Sequence, residues 1–214
     1  MKKIISLILA LSTMLLAVAC LGSCAKTEKG DIYDIAASSR PTRIITDVYY
    51  KDTNKQNLNG HYDMQIEGNN SIFTYDYLRY RTVEEGVTDG SAETLKPVSG
   101  TLYYKDGKFS EDGDTWGSEA VTPGSFRLDI KAEYLTDATV SEDGTVLTAT
   151  VTKENSEKIL GVALSAKDSI SIEVKTNGTH LTFITLSYTT AKGGEMTIIT
   201  SYSYNKLTLD FPEA

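Results

Sequence analysis

His61 and His180 are the two imidazoles of the 214-residue chain, and a zinc centre built on them would need both, with carboxylates completing a tetrahedral set. His61 stands at the start of a strand pattern and His180 just past an Asn177-Gly178 turn, so both read as solvated, turn-proximal side chains. Glu111, Asp112 and Asp114 form an acidic turn before Trp116. Hard cations favour such oxygens, but the spacing of a calcium-binding loop is absent. Glu84-Glu85 or Asp112-Asp114 would serve glycan hydrolysis only if held about 5–10 Å apart across a cleft; adjacent acids in a loop are ordinarily just hydrated. The sequence has no Gly-x-Ser-x-Gly, no His-Glu-x-x-His and no Gly-x-x-x-x-Gly-Lys. The expectation is therefore a non-enzyme, with no catalytic residue, no metal and no cofactor. What remains is aromatic. Tyr75, Tyr77, Tyr103, Trp116, Tyr202 and Tyr204 each combine an apolar ring with a polar edge, which suits a ligand groove. The same rings would equally fill and edge a sheet core.

Both cysteines, Cys20 and Cys24, lie at the N-terminus behind Lys2, Lys3 and an apolar run from Ile4 to Val18. A positive head followed by an apolar stretch is the pattern of an export signal. The run falls short of the about 20 residues that cross a bilayer, so cleavage is expected rather than spanning. Leu21-Gly22-Ser23-Cys24 resembles the lipobox of bacterial lipoproteins. That resemblance implies cleavage after Ser23 and acylation of the Cys24 thiol. Ala17-Val18-Ala19-Cys20 is the alternative, lacking the leucine and followed by a further apolar residue. A diacylglyceryl cysteine brings two chains, enough for stable anchoring where one is marginal. The expected organisation is a signal peptide over 1–23, lipidated cysteine and polar tether over 24–30, and one β-rich domain over 31–214. The location is extracytoplasmic, the partner a membrane reached through the lipid. The tether gives about 13 Å of reach.

Loss of Lys2 and Lys3 with the leader takes the formal net charge from −8 to −10. An acidic domain without a basic cluster argues against nucleic acid and against docking on anionic headgroups. No cysteine follows Cys24, so the exported domain stands without disulfides. Thirteen Tyr against five Phe, with abundant Thr, Ile and Val, make a strand-rich inventory.

Along the chain, 31–39 places Ile32, Ile35 and Ala36 at helical spacing, ended before Pro41. Strands are expected over 42–51, 60–67 and 71–83, the last two joined at Gly68-Asn69-Asn70. Asp106-Gly107 separates 101–105 from 108–110 with residues that tolerate the positive φ of a two-residue hairpin turn. Asp143-Gly144, Asn177-Gly178 and Gly193-Gly194 punctuate strands at 138–142, 145–153, 169–176, 179–189 and 195–209. Residues 125–135 fit either period and are read as a helix; 154–160 is read as a helix stopped by Gly161. Met196, Ile198, Thr200, Tyr202 and Tyr204 line one side of the last strand, hydroxyls the other. One greasy and one wet face point to an α+β fold, mostly antiparallel, whose open sheet curves to bury the greasy side.

The order of these elements is similar to that of LolA/LppX-like lipoproteins: lipidated cysteine, short helix, long antiparallel strands, the Gly100-to-Lys108 hairpin, Trp116, helical interruptions and a final meander. The similarity spans residues 30 to 211 as element order, without a diagnostic motif. It implies an open half-barrel sheet with one to three short helices on its concave side, holding a lipid or other apolar ligand between them. The alternative is a surface interaction or envelope-support module without a small-molecule ligand; a protein partner is not specified by the sequence.

Overall fold

Asp31 starts the first helix: its Oδ1 accepts the Tyr33 N–H at 3.0 Å, satisfying an amide that a helix start leaves unpaired. Helix α1 (Ile32–Ser38) buries Ile32, Ile35 and Ala36 along one side. Ser39 ends it with one hydroxyl that donates to the Ile35 carbonyl at 2.7 Å and accepts the Leu181 N–H at 2.9 Å, fixing the helix to the sheet. The computed structural model describes residues 31–51, 57–80, 95–117, 129–160 and 164–212. The expected leader, the tether, both cysteines and Glu84-Glu85 lie outside the described residues.

Ten strands follow: β1 (Arg43–Lys51), β2 (Asn57–Glu67), β3 (Asn70–Tyr80), β4 (Leu95–Lys105), β5 (Lys108–Ser110), β6 (Leu135–Val140), β7 (Val146–Val151), β8 (Ile170–Thr176), β9 (Leu181–Thr189) and β10 (Glu195–Ser203). They pair antiparallel in the order β5-β4-β3-β2-β1-β10-β9-β8-β7-β6. The molecule is thus two five-strand meanders joined where β1 meets β10, with Ile44 opposite Tyr202 and Val48 opposite Ile198. The sheet is curved and open, not closed into a barrel, and the expected α+β class is what forms. Helix α2 (Lys153–Leu160) lies between β7 and β8. At the β4–β5 turn Asp106 and Gly107 take φ of 53° and 76°, the left-handed pair a tight hairpin requires.

Burial follows a period of two. On β8, Ile170, Ile172, Val174 and Thr176 are buried while Ser171 and Lys175 are exposed. Residues opposite one another share a face, so Leu147, Ala149 and Leu186 lie on the side of Ile172 and Val174. Ile32 and Ala36 of α1 and Ile159 of α2 pack into this same cluster, which continues through Ile44 to Tyr202. Both helices therefore cover one face of the sheet, over its C-terminal half.

Three expectations are corrected in detail. Strand β4 begins at Leu95 rather than 101, although Pro97 and Gly100 disfavour a strand locally; the long β3 supplies a ladder, and pairing overrides propensity. Of the helix read over 125–135, the described part is a 3-10 turn at Ala132–Tyr134 that passes into β6 at Leu135. The last strand stops at Ser203, not 209, because the chain turns across the sheet: Thr42 Oγ1 donates to the Ser203 and Asn205 carbonyls, and the Leu209 N–H to Glu67 Oε2 at 3.0 Å.

Ser71, on β3, is 2% exposed and its Oγ has no hydrogen-bond partner among the described residues. A buried hydroxyl without a partner costs about 1–3 kcal/mol. Ser71→Ala is therefore expected to raise stability by about 1 kcal/mol, read as a higher urea midpoint at unchanged slope. A lower midpoint would mean that the hydroxyl has a partner in solution.

Candidate functional site

The N-terminal half of the helix-bearing face carries a row of aromatic rings. Tyr62 is opposite Tyr75, Met64 opposite Phe73 and Gly60 opposite Tyr77; Ile44 opposite Met64 ties them to the face of the buried core. Tyr62 and Phe73 lie 6.2 Å apart with planes 13° from parallel, Tyr62 and Tyr77 6.1 Å and 22°. Tyr75 completes the set, 6.0 Å from both Phe73 and Tyr77. All four are half-buried and stand outside the cluster packed beneath the helices.

Two glycines let these rings recline on the backbone. A Cβ at Gly60 would stand 3.0 Å from Tyr62 Cε2, and one at Gly100 would stand 2.5 Å from Tyr75 Oη and 2.7 Å from its Cζ. Space, not backbone angle, is what demands glycine there. With Tyr62 laid over Gly60 and Tyr75 over Gly100, the rings cover the sheet as a low platform rather than standing off it. Across the β1–β4 part of this face, residues 44 to 50, 60 to 66, 71 to 77 and 98 to 104 contribute at alternate positions only apolar, aromatic, hydroxyl or glycine side chains. The platform has no charge. Desolvation, with a smaller contribution from Tyr77, pushes the Tyr62 phenol pKa above its ordinary value.

The space between α2 and the sheet is different. The crevice lined by Val151, Ser156, Ile159, Ile170, Ile172 and Leu186 is too narrow to admit even a water molecule, whereas ligand pockets measure about 300–1,000 Å³. The expected ligand space between helix and sheet is filled there by side chains.

Of the six aromatic residues expected at a ligand site, only Tyr75 and Tyr77 lie in the row. Tyr202 is 8% exposed in the core, where burial drives its phenol pKa far up. Tyr204 stacks on His180 at 4.4 Å and donates its hydroxyl to the Leu181 carbonyl. Tyr103, opposite Ile72, projects from the other face, and Trp116 joins it there through Phe211. Tyr62 and Phe73 are the members that the sequence reading passed over. Their signal was the alternation Gly60-Tyr62-Met64-Ile66 against Ser71-Phe73-Tyr75-Tyr77.

His61 and Asp112, among the side chains that could do chemistry, are engaged structurally. His61 Nδ1 lies 2.7 Å from Asp47 Oδ1 across β1 and β2, and Arg43 grips Asp63 through two bonds of 2.9 and 2.7 Å. Among the described residues no three metal-ligating side chains gather, and no helix is long and apolar enough to cross a membrane. Asp112 Oδ1 accepts the Thr115 and Asp114 N–H groups and the Ser110 hydroxyl at 2.7, 2.9 and 3.0 Å. These bonds hold its carboxyl pKa down to about 2. A depressed folded-state pKa stabilises above the unfolded value near ~3.9 and is lost as pH falls through the folded one. Carboxyl-carbon NMR is expected to show Asp112 titrating near pH 2; a midpoint close to the unfolded value would show the loop open.

No family model and no curated protein matches the chain. Among solved structures it is similar to the 2.0 Å resolution structure of the hypothetical protein CT021 from Chlamydia trachomatis, at 9% identity and a TM-score of 0.28 over 86% of this chain and 98% of that one.

Proposed function

We propose that this protein is a non-enzymatic, lipid-anchored binding protein of the outer side of a bacterial membrane, whose ligand is an uncharged apolar or amphipathic molecule lying on the Tyr62–Phe73–Tyr75–Tyr77 platform. One observation carries the reading: four contacting, half-buried rings form a neutral surface continuous with the core yet outside the helix-covered part. Placing ring faces and phenol edges in one row serves a ligand that is mostly apolar with few polar groups. Anchoring rests on the Leu21-Gly22-Ser23-Cys24 stretch, with Cys20 as the alternative.

The test uses the full chain with Cys20→Ser and Cys24→Ser, so that no covalent lipid confuses the measurement. Native mass spectrometry and solvent extraction are expected to find a neutral apolar molecule copurified with it, and none with a Tyr62→Ala/Tyr75→Ala variant. Equal recovery from both proteins, or nothing from either, sinks the proposal. In the unmodified chain, mass analysis of the N-terminus is expected to find diacylglyceryl on Cys24 and residues 1–23 removed.

A surface interaction module is the second reading, favoured by Tyr49 and Phe183 on the opposite face, 48% and 46% exposed. It predicts that Tyr49→Ala/Phe183→Ala abolishes a membrane crosslink that the platform variant retains.

A further inference from the structure

A second aromatic cluster, on the face away from the platform, already has a cation against it. Phe211, carried by the segment after β10, lies 6.4 Å from Tyr103 and 6.2 Å from Trp116, with planes tilted 54° and 59°. Tilted rings bound a corner, where the near-parallel rings of the platform make a floor. Lys105 Nζ stands 5.1 Å from the Phe211 centroid, inside the about 6 Å over which a ring face attracts a cation.

The three rings come from separate segments, each held in place. Tyr103 is held by the β3–β4 ladder. The Phe211 segment is anchored by buried Leu209, whose N–H donates to Glu67 Oε2, and by Pro212 packed on Gly113. Gly113 has a φ of +85°, and any Cβ there would collide with Pro212. Trp116 follows the loop that Asp112 ties together. Glu111, Asp114 and Asp210 are exposed on these same segments, and among the described residues none of the three makes an ion pair. Ring faces and carboxylates together favour a positive guest and repel a negative one.

The kind of cation follows from hydration. A lysine ammonium is compact and strongly hydrated; Lys105 is exposed and its ammonium lies over one ring only. Metal ions hold water more tightly still and prefer oxygen ligands. A cation whose charge is spread over methyl groups gives up water readily and presents an apolar surface to all three rings. We propose that Tyr103, Trp116 and Phe211 form a site for a quaternary ammonium group, with Lys105 as the resident cation that it displaces.

Trp116 is the chain's sole tryptophan, so its emission reports on this corner alone. Tetramethylammonium chloride titrated into the full chain at constant ionic strength is expected to change that emission saturably; tert-butanol, a neutral isostere, is expected to change it no further than bulk solvent does. Lys105→Gln removes the competitor and is expected to tighten apparent binding by about two- to fivefold, the worth of one exposed cation–π contact. Phosphocholine in solution and phosphatidylcholine vesicles, tested separately, tell a free guest from a lipid headgroup, and a response to either supports the site. The Trp116 indole N–H shift in NMR gives a second readout on the unmutated protein. No saturable response in wild type and Lys105→Gln, or an equal response to tert-butanol, overturns the proposal.

Discussion

Replacing Ile172 by alanine is expected to remove about 2–5 kcal/mol of stability, the range for emptying a well-packed aliphatic site. Ile172 is 1% exposed, faces Ala149 and Leu186 across the ladder and lies beneath Ile159 of α2. Its neighbours on the sheet are held by backbone pairing on both sides, so the void closes poorly. For a domain of this size the loss corresponds to a melting point lower by about 4–20 °C. The comparison is Ile199→Ala, whose side chain lies half-buried on the opposite face, opposite Asp47 and Thr185; about 1 kcal/mol or less is expected there. Equal losses at the two positions, measured by urea unfolding, would contradict the one-sided core.

Binding to the platform should fall at least tenfold when Tyr62 and Tyr75 are both replaced by alanine, with N-phenyl-1-naphthylamine as a neutral fluorescent probe. Each ring contact beyond simple burial is worth about 0.5–1.5 kcal/mol, and tenfold is about 1.4 kcal/mol. Gly100→Ala tests the geometry without deleting a ring. The added methyl occupies the place of Tyr75 Oη, so the ring must lift and the platform lose its flatness, weakening the probe about threefold by the same scale. Tyr49→Ala, on the opposite face, is expected to leave probe binding unchanged. Undiminished binding in the double variant would place the probe elsewhere on the protein.

The local grammar of this fold was open to reading. Asp106-Gly107 announced its hairpin, the spacing of Ile32, Ile35 and Ala36 announced α1, and the alternation in the last strand announced a sheet with one apolar face. What was not open was anything set by partners distant in sequence. The strand at Leu95–Gly100 exists because β3 is there to pair with it, and Pro97 and Gly100 hid it. Tyr103 and Tyr104 are adjacent in sequence, and only the register decides which of them joins Phe73 and which looks the other way. A one-residue choice of that kind reverses every side chain along a strand, which is why Tyr103 leaves the face that carries Tyr75 and Tyr77. Phe211 drew no attention for a related reason: its meaning lies in Trp116 and Tyr103, and nothing near it in sequence announces them.

The seam between β1 and β10 carries a consequence for how the molecule is made. Thr42 Oγ1 bonds to a carbonyl 161 residues further on, so the middle of the sheet closes only after the last strand has emerged. Each meander can zip from its own hairpins early, but joining them is a distant encounter, and distant encounters fold slowly. The two halves therefore stay unjoined until β10 is available to pair with β1.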